Sequence, residues 1–404
     1  MKKIQLGLIF GGRSCEHEVS VISALQLSHS VDRERYDLYP IYINKSGEWF
    51  TGPALLDLET YQEPIMYNVS GKYEKVTLDL AAHSGALTVV RPGRFVYSRK
   101  KTVVLTHLDC VIPVMHGLHG EDGTLQGLLE LCDLPYASTG VVGSAVGIDK
   151  IIMKHVFRSG GIPVLPDMSV LRSEFLKDEE ATLSLIESKL NYPVFVKPAC
   201  LGSSIGVSRA DNREELSEAL KLACSYDRRI LVEKGLDEPI EVNCSVLGFD
   251  DEVTPSVVEM PVTEKKMLDF ADKYLRNSGA GGMASLNRLI PAPIDDEMTQ
   301  EVRRLSCKVF RLLDCKGVVR IDWMIDSASN ELYVTEINTI PGSLSFYLWK
   351  ESKPRYRYYR LIDKLVEYAF KAHRQKSENN YAFHSNLFEK MRFGGTKGTK
   401  GVKV

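Results

Sequence analysis

VVRIDWMIDSASNELYVTEINTIPG, residues 318–342, is the stretch whose reading decides the fold. Two runs rich in β-branched and aromatic residues flank Asp326, Ser327, Ala328, Ser329 and Asn330, types that bond their own backbone and tolerate tight turns. The pattern predicts a β-hairpin. Centring its turn near Ala328 sets Arg320 opposite Glu336, and residues two apart on a strand share a face, so Arg320, Asp322, Glu336 and Asn338 point the same way. The other face, carrying Val319, Ile321, Trp323, Ile325, Tyr333, Thr335 and Ile337, is expected to be the buried one. Two carboxylates and an amide oxygen suit a hard cation such as Mg2+, which shares its shell with water and phosphate. The competing reading is a solvated polar face with an Arg320–Glu336 cross-strand pair.

The 404 residues exceed what one growing core supports, so two or three domains sharing a cleft are expected. With 44% hydrophobic and 26% charged residues and a net charge of −2, the composition is that of a globular protein with no call for nucleic acid or an anionic membrane surface. The start, MKKIQLGLIFGG, lacks a small-residue cleavage site, and no apolar run approaches the ~18 residues of a membrane span, which makes a cytosolic location the expectation. Eight cysteines without C-x-x-C spacing read as buried thiols.

Residues 4–10 form an apolar strand followed by GGRSCEHEVS, a helix to about residue 30 and the strand YDLYPIYIN, the opening of an α/β domain. G-x-G-x-x-G is absent, so the Gly11-Gly12 pair does not support nicotinamide binding. Glu16 and His17 fall at the strand-to-helix junction, where open α/β sheets place ligand groups, although an acidic side chain at a helix start also suits the macrodipole. A further strand, 108–114, ends in MHGLHGEDGT, which makes His116 a ligand candidate against simple loop packing; the short strand LPYAS follows the helix LQGLLELC. Residues 140–161 read as one helix with Lys150 and Lys154 on one side.

The central unit is hairpin, helix, strand. PVFVKP carries Lys197 in an apolar strand beside the loop ACLGSSIG, VSRA returns, and a helix follows with Asp211 and Glu214 as a capping box and Leu216, Ala219, Leu220 and Ala223 as its stripe. A lysine there is costly unless it meets an anion, and a loop rich in backbone N–H suits phosphate; a snorkelling lysine beside a plain hairpin is the bland alternative. Glu233 and Glu241 lie beside apolar strands as candidate partners of a nucleotide's base and ribose. Residues 263–286, with Lys273 and Tyr274 among charges and glycines, read as a mobile lid. A helix over 294–313 precedes the hairpin, an aromatic helical stretch to about His373 follows it, and the last thirty residues read as a polar, flexible tail.

FGGRSCEHEVS, HGEDGTLQG, Asp149-Lys150, VKP with LGSSIG, VEK, DKY, and RIDWM paired with EINTIPG, in that order, resemble the D-alanine–D-alanine ligase family of the ATP-grasp superfamily. The resemblance runs from Lys3 to about Ala372. It implies a three-domain α/β ATP-grasp ligase: a Rossmann-like N-terminal domain over 1–140, a central subdomain over 141–237, a C-terminal subdomain over 238–373 with lid and metal site, and a tail over 374–404. It also implies that Lys150 and Lys197 hold ATP phosphates, that Glu233, Lys234, Leu236 and Glu241 line the adenosine pocket, and that Lys273 reaches the γ-phosphate. Asp322, Glu336 and Asn338 would bind two Mg2+ or Mn2+ ions. Glu16 would take the first D-alanine's ammonium, oriented through Ser203 and Tyr274 with His116 close by, while Arg320 and the Gly342 N–H would stabilise the reacting carboxylate. Ser343 and Tyr347 would fall at the second substrate. Tyr347 stands where the family commonly has a serine for the acceptor's carboxylate, so D-alanine, D-serine and D-lactate all stay open as acceptors. The resemblance implies peptidoglycan synthesis and a homodimer; a nucleotide-binding regulator without turnover is the reading from another class.

Overall fold

The structure, a computed structural model, describes residues 2–61, 73–91, 101–262 and 288–380. Three sheets succeed one another along the chain. The first has seven strands in the order β6-β5-β4-β3-β2-β1-β7: β1 (Ile4–Gly11), β2 (Tyr36–Ile43), β3 (Trp49–Thr51), β4 (Glu74–Leu78), β5 (Ala86–Arg91), β6 (Lys101–His107) and β7 (Cys110–Val114). Only β2, β1 and β7 run parallel; β3 to β6 extend the sheet as an antiparallel meander. β1 and β7 are near-continuously apolar because parallel strands are covered on both faces. LPYAS makes a single bridge, Val111 to Tyr136, rather than the expected strand.

The central sheet, ordered β10-β9-β11-β8, contains β8 (Asp167–Leu171), β9 (Val194–Pro198), β10 (Ser208–Ala210) and β11 (Arg229–Lys234). The helix Arg213–Tyr226 buries Leu216, Ala219, Leu220 and Ala223 against it. Its cap lies one residue later than the Asp211/Glu214 expectation. Asn212 accepts from the Glu215 N–H, and the Glu215 carboxylate accepts from the Asp211 N–H, because Asn212 is the residue held extended at the boundary. The single helix expected over 140–161 is two, Val141–Ile148 and Lys150–Ser159, broken at Asp149, whose carboxylate accepts from the N–H groups of Ile151 and Ile152.

The third sheet is ordered β14-β13-β12-β15-β16: β12 (Ile240–Phe249), β13 (Glu252–Pro261), β14 (Arg288–Leu289), β15 (Gly317–Ile325) and β16 (Leu332–Asn338). The helix Asp296–Leu312 covers one face with Val302, Leu305 and Val309. β15 and β16 form the expected hairpin in a different register: Arg320 lies opposite Asn338, and Asp322 opposite Glu336. The turn already sets Trp323 opposite Val334, one residue from the expected pairing, and a bulge between Asp322 and Trp323 adds the second. Thr335 is the extra residue, and its hydroxyl donates to the Asp322 carbonyl at 2.9 Å. The bulge keeps Arg320, Asp322, Glu336 and Asn338 on one face, but it puts Leu332 and Val334, rather than Tyr333 and Thr335, into the core.

The final helix, Tyr358–Ser377, runs past His373 and so crosses the boundary expected there. Its Leu361, Ile362, Leu365 and Val366 join the core of the first sheet. Of the expected tail over 374–404, residues 381–404 lie outside the described residues.

Candidate active site

The bulged hairpin sets up a row of polar side chains across four strands. Register pairs Glu259 with Asn243, Asn243 with Asp322, and Asp322 with Glu336. One step along β15, Arg320 pairs with Asn338. Arg320 forks onto Asp322, Nε to Oδ1 at 2.6 Å and Nη2 to Oδ2 at 2.7 Å, and Asn338 Nδ2 donates to Asp322 Oδ2 at 3.1 Å. The expected Arg320–Glu336 pair is therefore replaced by Arg320–Asp322. Burial raises the Asp322 carboxyl against the pull of Arg320, and the nearby Glu336 and Glu259 add to the rise. Asp322 also holds the buried guanidinium of Arg320 well above its ordinary value, although burial opposes this.

Asp322, Glu336 and Asn338 form an oxygen-only donor set whose carboxylates crowd one another, and a divalent cation relieves that repulsion. Among the described residues no group of three or more His, Cys, Asp or Glu is placed to hold a metal ion, so the candidate set rests on two carboxylates and an amide. Two carboxylates and an amide leave coordination positions for water and phosphate, as Mg2+ prefers. The donor set fits the ion.

Lys150 connects this face to the central sheet. It is buried, its Nζ donates to the Leu201 carbonyl in the loop after β9 at 2.7 Å, and it lies 3.6 Å from Glu336. Lys197 meets an anion as expected, and in this structure that anion is Glu233, shared with Lys154 at 2.6 Å. Burial works to raise the Glu233 carboxyl, but the two ammonium groups prevail and hold it at about 2. Lys154 is 1% exposed, and its part in fixing Glu233 was not legible from the chain alone. Leu236 is buried, while Lys234 and Glu241 are exposed where β11 leads into β12. Lys273 and Tyr274 lie outside the described residues.

At the other end of the cleft, β1 ends at Gly11, whose φ of +87° and close approach to the Ile43 carbonyl exclude a side chain. The chain then turns into the helix His17–Ser30 with Glu16 buried at its start. The Ser203 hydroxyl donates to Glu16 Oε1, joining the first sheet to the loop of the central one. A Cβ on Gly117 would come within 2.5 Å of Glu16 Oε2, so this loop can cradle the carboxylate only with glycine there. Glu16 also borders a cavity of about 270 Å3 reaching Arg13, Leu201 and Ile205. His17 turns away from it and bonds the Gly12 carbonyl and the Tyr42 hydroxyl at 2.7 and 3.0 Å.

His116 is buried with both ring nitrogens engaged: Nδ1 lies 2.8 Å from the Ile340 carbonyl and Nε2 3.0 Å from the Ser23 hydroxyl. A carbonyl only accepts, so Nδ1 carries the proton. Burial pushes the ring down to about 4, opposed by the bond to Ile340. His116 therefore positions the segment around Gly342. Ser343 is likewise buried, its N–H donating to Ser23 Oγ and its hydroxyl to Gln26 Oε1, so it anchors that segment to the first helix. Tyr347 is buried and donates its hydroxyl to Glu259 at 3.0 Å.

Sequence reading passed over Glu121. Its Oε2 accepts from the Gly117 N–H at 2.9 Å and its Oε1 from the Ile340 N–H at 2.8 Å. Burial, with Glu16 and Glu336 nearby, pushes the carboxyl up to about 8. The available signal was an acid inside the glycine-rich HGEDGT segment, a place where loop backbone leaves N–H groups in need of an acceptor.

A family model described as the D-ala D-ala ligase N-terminus matches residues 5–139, and one described as the D-ala D-ala ligase C-terminus matches 156–367. A D-alanine–D-alanine ligase of Thermoanaerobacter sp. (strain X514) is 39% identical over 93% of this chain and 99% of its own. That of Bacillus licheniformis is 35% identical over 94% of this chain and 100% of its own. Among solved structures, the D-alanine-D-alanine ligase of Coxiella burnetii superposes with a TM-score of 0.75 at 26% identity, covering 94% of this chain and 97% of its own. The VanG D-Ala:D-Ser ligase of Enterococcus faecalis gives 0.74 at 28% identity, covering 91% and 100%. The α/β architecture expected from the sequence is that of these ligases, and the chain belongs to the D-alanine–D-alanine ligase family.

Proposed function

We propose that the protein joins two D-alanines at the expense of ATP, in the cytoplasm, for peptidoglycan synthesis. The observation that carries this is the register of the third sheet, which gathers Arg320, Asp322, Glu336 and Asn338 on one face with Lys150 3.6 Å from Glu336. A carboxylate is a poor electrophile for an amine, so ATP first converts it to an acyl phosphate. The second amino acid then displaces phosphate through a tetrahedral intermediate. Glu16, oriented by Ser203, takes the first D-alanine's ammonium. Lys150 and Lys197 neutralise ATP phosphates, with Lys273 from the segment over 263–286, and Glu233, Lys234, Leu236 and Glu241 line the adenosine. Arg320 and the Gly342 N–H hold the oxyanion as its charge develops. Asp322, Glu336 and Asn338 would hold two Mg2+ ions, which supply charge neutralisation at phosphate oxygens when bound. The three units expected from the sequence each supply one part: the first the donor end, the second the nucleotide, the third the metal and the reacting carboxylate.

Incubation with Mg-ATP and D-alanine should release phosphate and give D-alanyl-D-alanine by mass spectrometry. Absence of ATP turnover with every D-amino acid offered would overturn this reading in favour of a nucleotide-binding regulator. A second reading, the same chemistry with D-serine or D-lactate as acceptor, is favoured by Tyr347, which stands where the family commonly has a serine. Acceptor competition in the same assay separates the two.

A further inference from the structure

The polar row does not stop at the metal end. Beyond Asp322 it continues through Asn243 to Glu259, which is fully buried and receives three donors: Arg288 Nη1 at 2.6 Å, the Tyr347 hydroxyl at 3.0 Å and Asn243 Nδ2 at 3.2 Å. Arg288 pairs by register with Pro261, two residues from Glu259 on the same face of β13, and its side chain is only 7% exposed. Its guanidinium carbon lies 4.2 Å from the centre of the Tyr347 ring. The plane of the guanidinium is thus fixed from two directions, by an ion pair and by a stacked aromatic.

Stability gives little reason for this arrangement. A buried ion pair is commonly replaceable by packed apolar side chains without loss, so burying Arg288, Glu259 and a tyrosine hydroxyl together calls for another role. The row supplies one. Its Glu336 end lies beside Lys150, and on the ligase reading the phosphates fall there while Arg320 and Asp322 hold the reacting centre. Neighbouring strands lie about 4.8 Å apart, which puts Glu259 roughly 10 Å from Asp322. The long side chains close most of that gap: the Arg288 and Arg320 guanidinium groups are near enough for their charges to oppose one another, and Arg320 also senses Tyr347 and Glu259, all on the side away from Glu336 and Lys150.

On the ligase reading above, we infer that Arg288 receives the α-carboxylate of the acceptor amino acid, with Glu259 and Tyr347 as its positioning residues. A preorganised guanidinium takes the place of a serine hydroxyl, and its fork matches a carboxylate in two parallel hydrogen bonds. Tyr347, too large to leave the space a serine would, becomes the wall against which the fork is held. The group recognised is the carboxylate itself, common to D-amino and D-hydroxy acids.

The test offers D-alanine and D-alaninamide together as acceptors, with D-alanine as donor, and reads the ratio of the two products by mass spectrometry. Wild type should strongly favour the acid. In R288Q the preference for the acid should fall about 10- to 100-fold, the worth of a charge-assisted hydrogen bond, and the acceptor KM should rise more than kcat falls. R288K should keep part of the preference, and Y347F should lose part of it. A merely structural role would lower the yield of both products and leave their ratio alone, so an unchanged ratio in a folded R288Q overturns the inference. If R288Q fails to fold, an unchanged ratio in R288K and Y347F overturns it equally. No product from wild type would overturn the ligase reading, and this inference with it.

Discussion

His116 Nδ1 donates to the carbonyl of Ile340, 224 residues further along, at 2.8 Å. Together with the Ser23 hydroxyl on Nε2, this bond ties the loop after β7 and the first helix to the segment that carries Gly342. Replacing His116 by Ala leaves the Ile340 carbonyl and the Ser23 hydroxyl buried without their partner. The expected cost is about 2–4 kcal/mol of stability, from unsatisfied polar groups and the space vacated, read by urea denaturation. The buried ring titrates near 4 against 6.5 when free. Because the unfolded chain takes the proton first, stability should fall as pH drops from about 6.5 to 4, by about 3 kcal/mol in all. His116→Gln should flatten that fall.

Glu121 should give the opposite slope. Its carboxyl titrates near 8 in the folded protein and near 4.5 when free, so between these values the folded state holds the extra proton. Ligand-free wild type should therefore lose stability through this group as pH rises from 4.5 to 8, with no contribution below 4.5. Glu121→Gln, which mimics the protonated form, should gain on wild type over that interval in melting curves recorded at successive pH values. A constant difference across the range would show that Glu121 is already ionised.

Lys154→Met should destabilise by about 3–5 kcal/mol, because it leaves the buried Glu233 with one ammonium instead of two. The same substitution should raise the KM for ATP, since Lys197 is then held more tightly by Glu233. Equilibrium unfolding and ATP titration of turnover read the two effects. The double variant Lys154→Met, Glu233→Met should not recover the stability, because it leaves Lys197 without the anion it meets in the wild type.

Chelation of divalent metal should stop turnover, and added Mg2+ should restore it. Asp322→Asn keeps the shape of the side chain and removes its charge, so it should lower kcat by at least ~100-fold and shift the Mg2+ requirement upward. A Mg2+ titration of ADP release at fixed ATP measures both. An unaltered Mg2+ midpoint in the variant would remove Asp322 from the ligand set.

Strand parity alone grouped Arg320, Asp322, Glu336 and Asn338, because a period of two is a property of the backbone that residue types reveal directly. The register was not readable. Thr335 looks like any β-branched strand residue, and nothing local marks it as the member that bulges, so strand parity places Tyr333 in the core where the structure has Val334. Lys197 announced itself as a cation in an apolar strand, yet the Lys154–Glu233 contact closes across 79 residues, a distance that no local pattern encodes. The break at Asp149 was hidden for another reason. An aspartate inside a helical period caps a second helix only if its backbone leaves the helical region, and the contacts that decide this come from Arg229 on the neighbouring sheet.

The helix Tyr358–Ser377 completes the core of a sheet whose first strand begins at Ile4. During synthesis the N-terminal sheet therefore leaves the ribosome with one wall missing, and Leu6, Leu8 and Ile112 wait for Leu361, Ile362 and Leu365 to be translated. The first sheet cannot be completed before this helix is made. A nascent chain stalled ahead of that helix would display an apolar sheet face and become a client for chaperones.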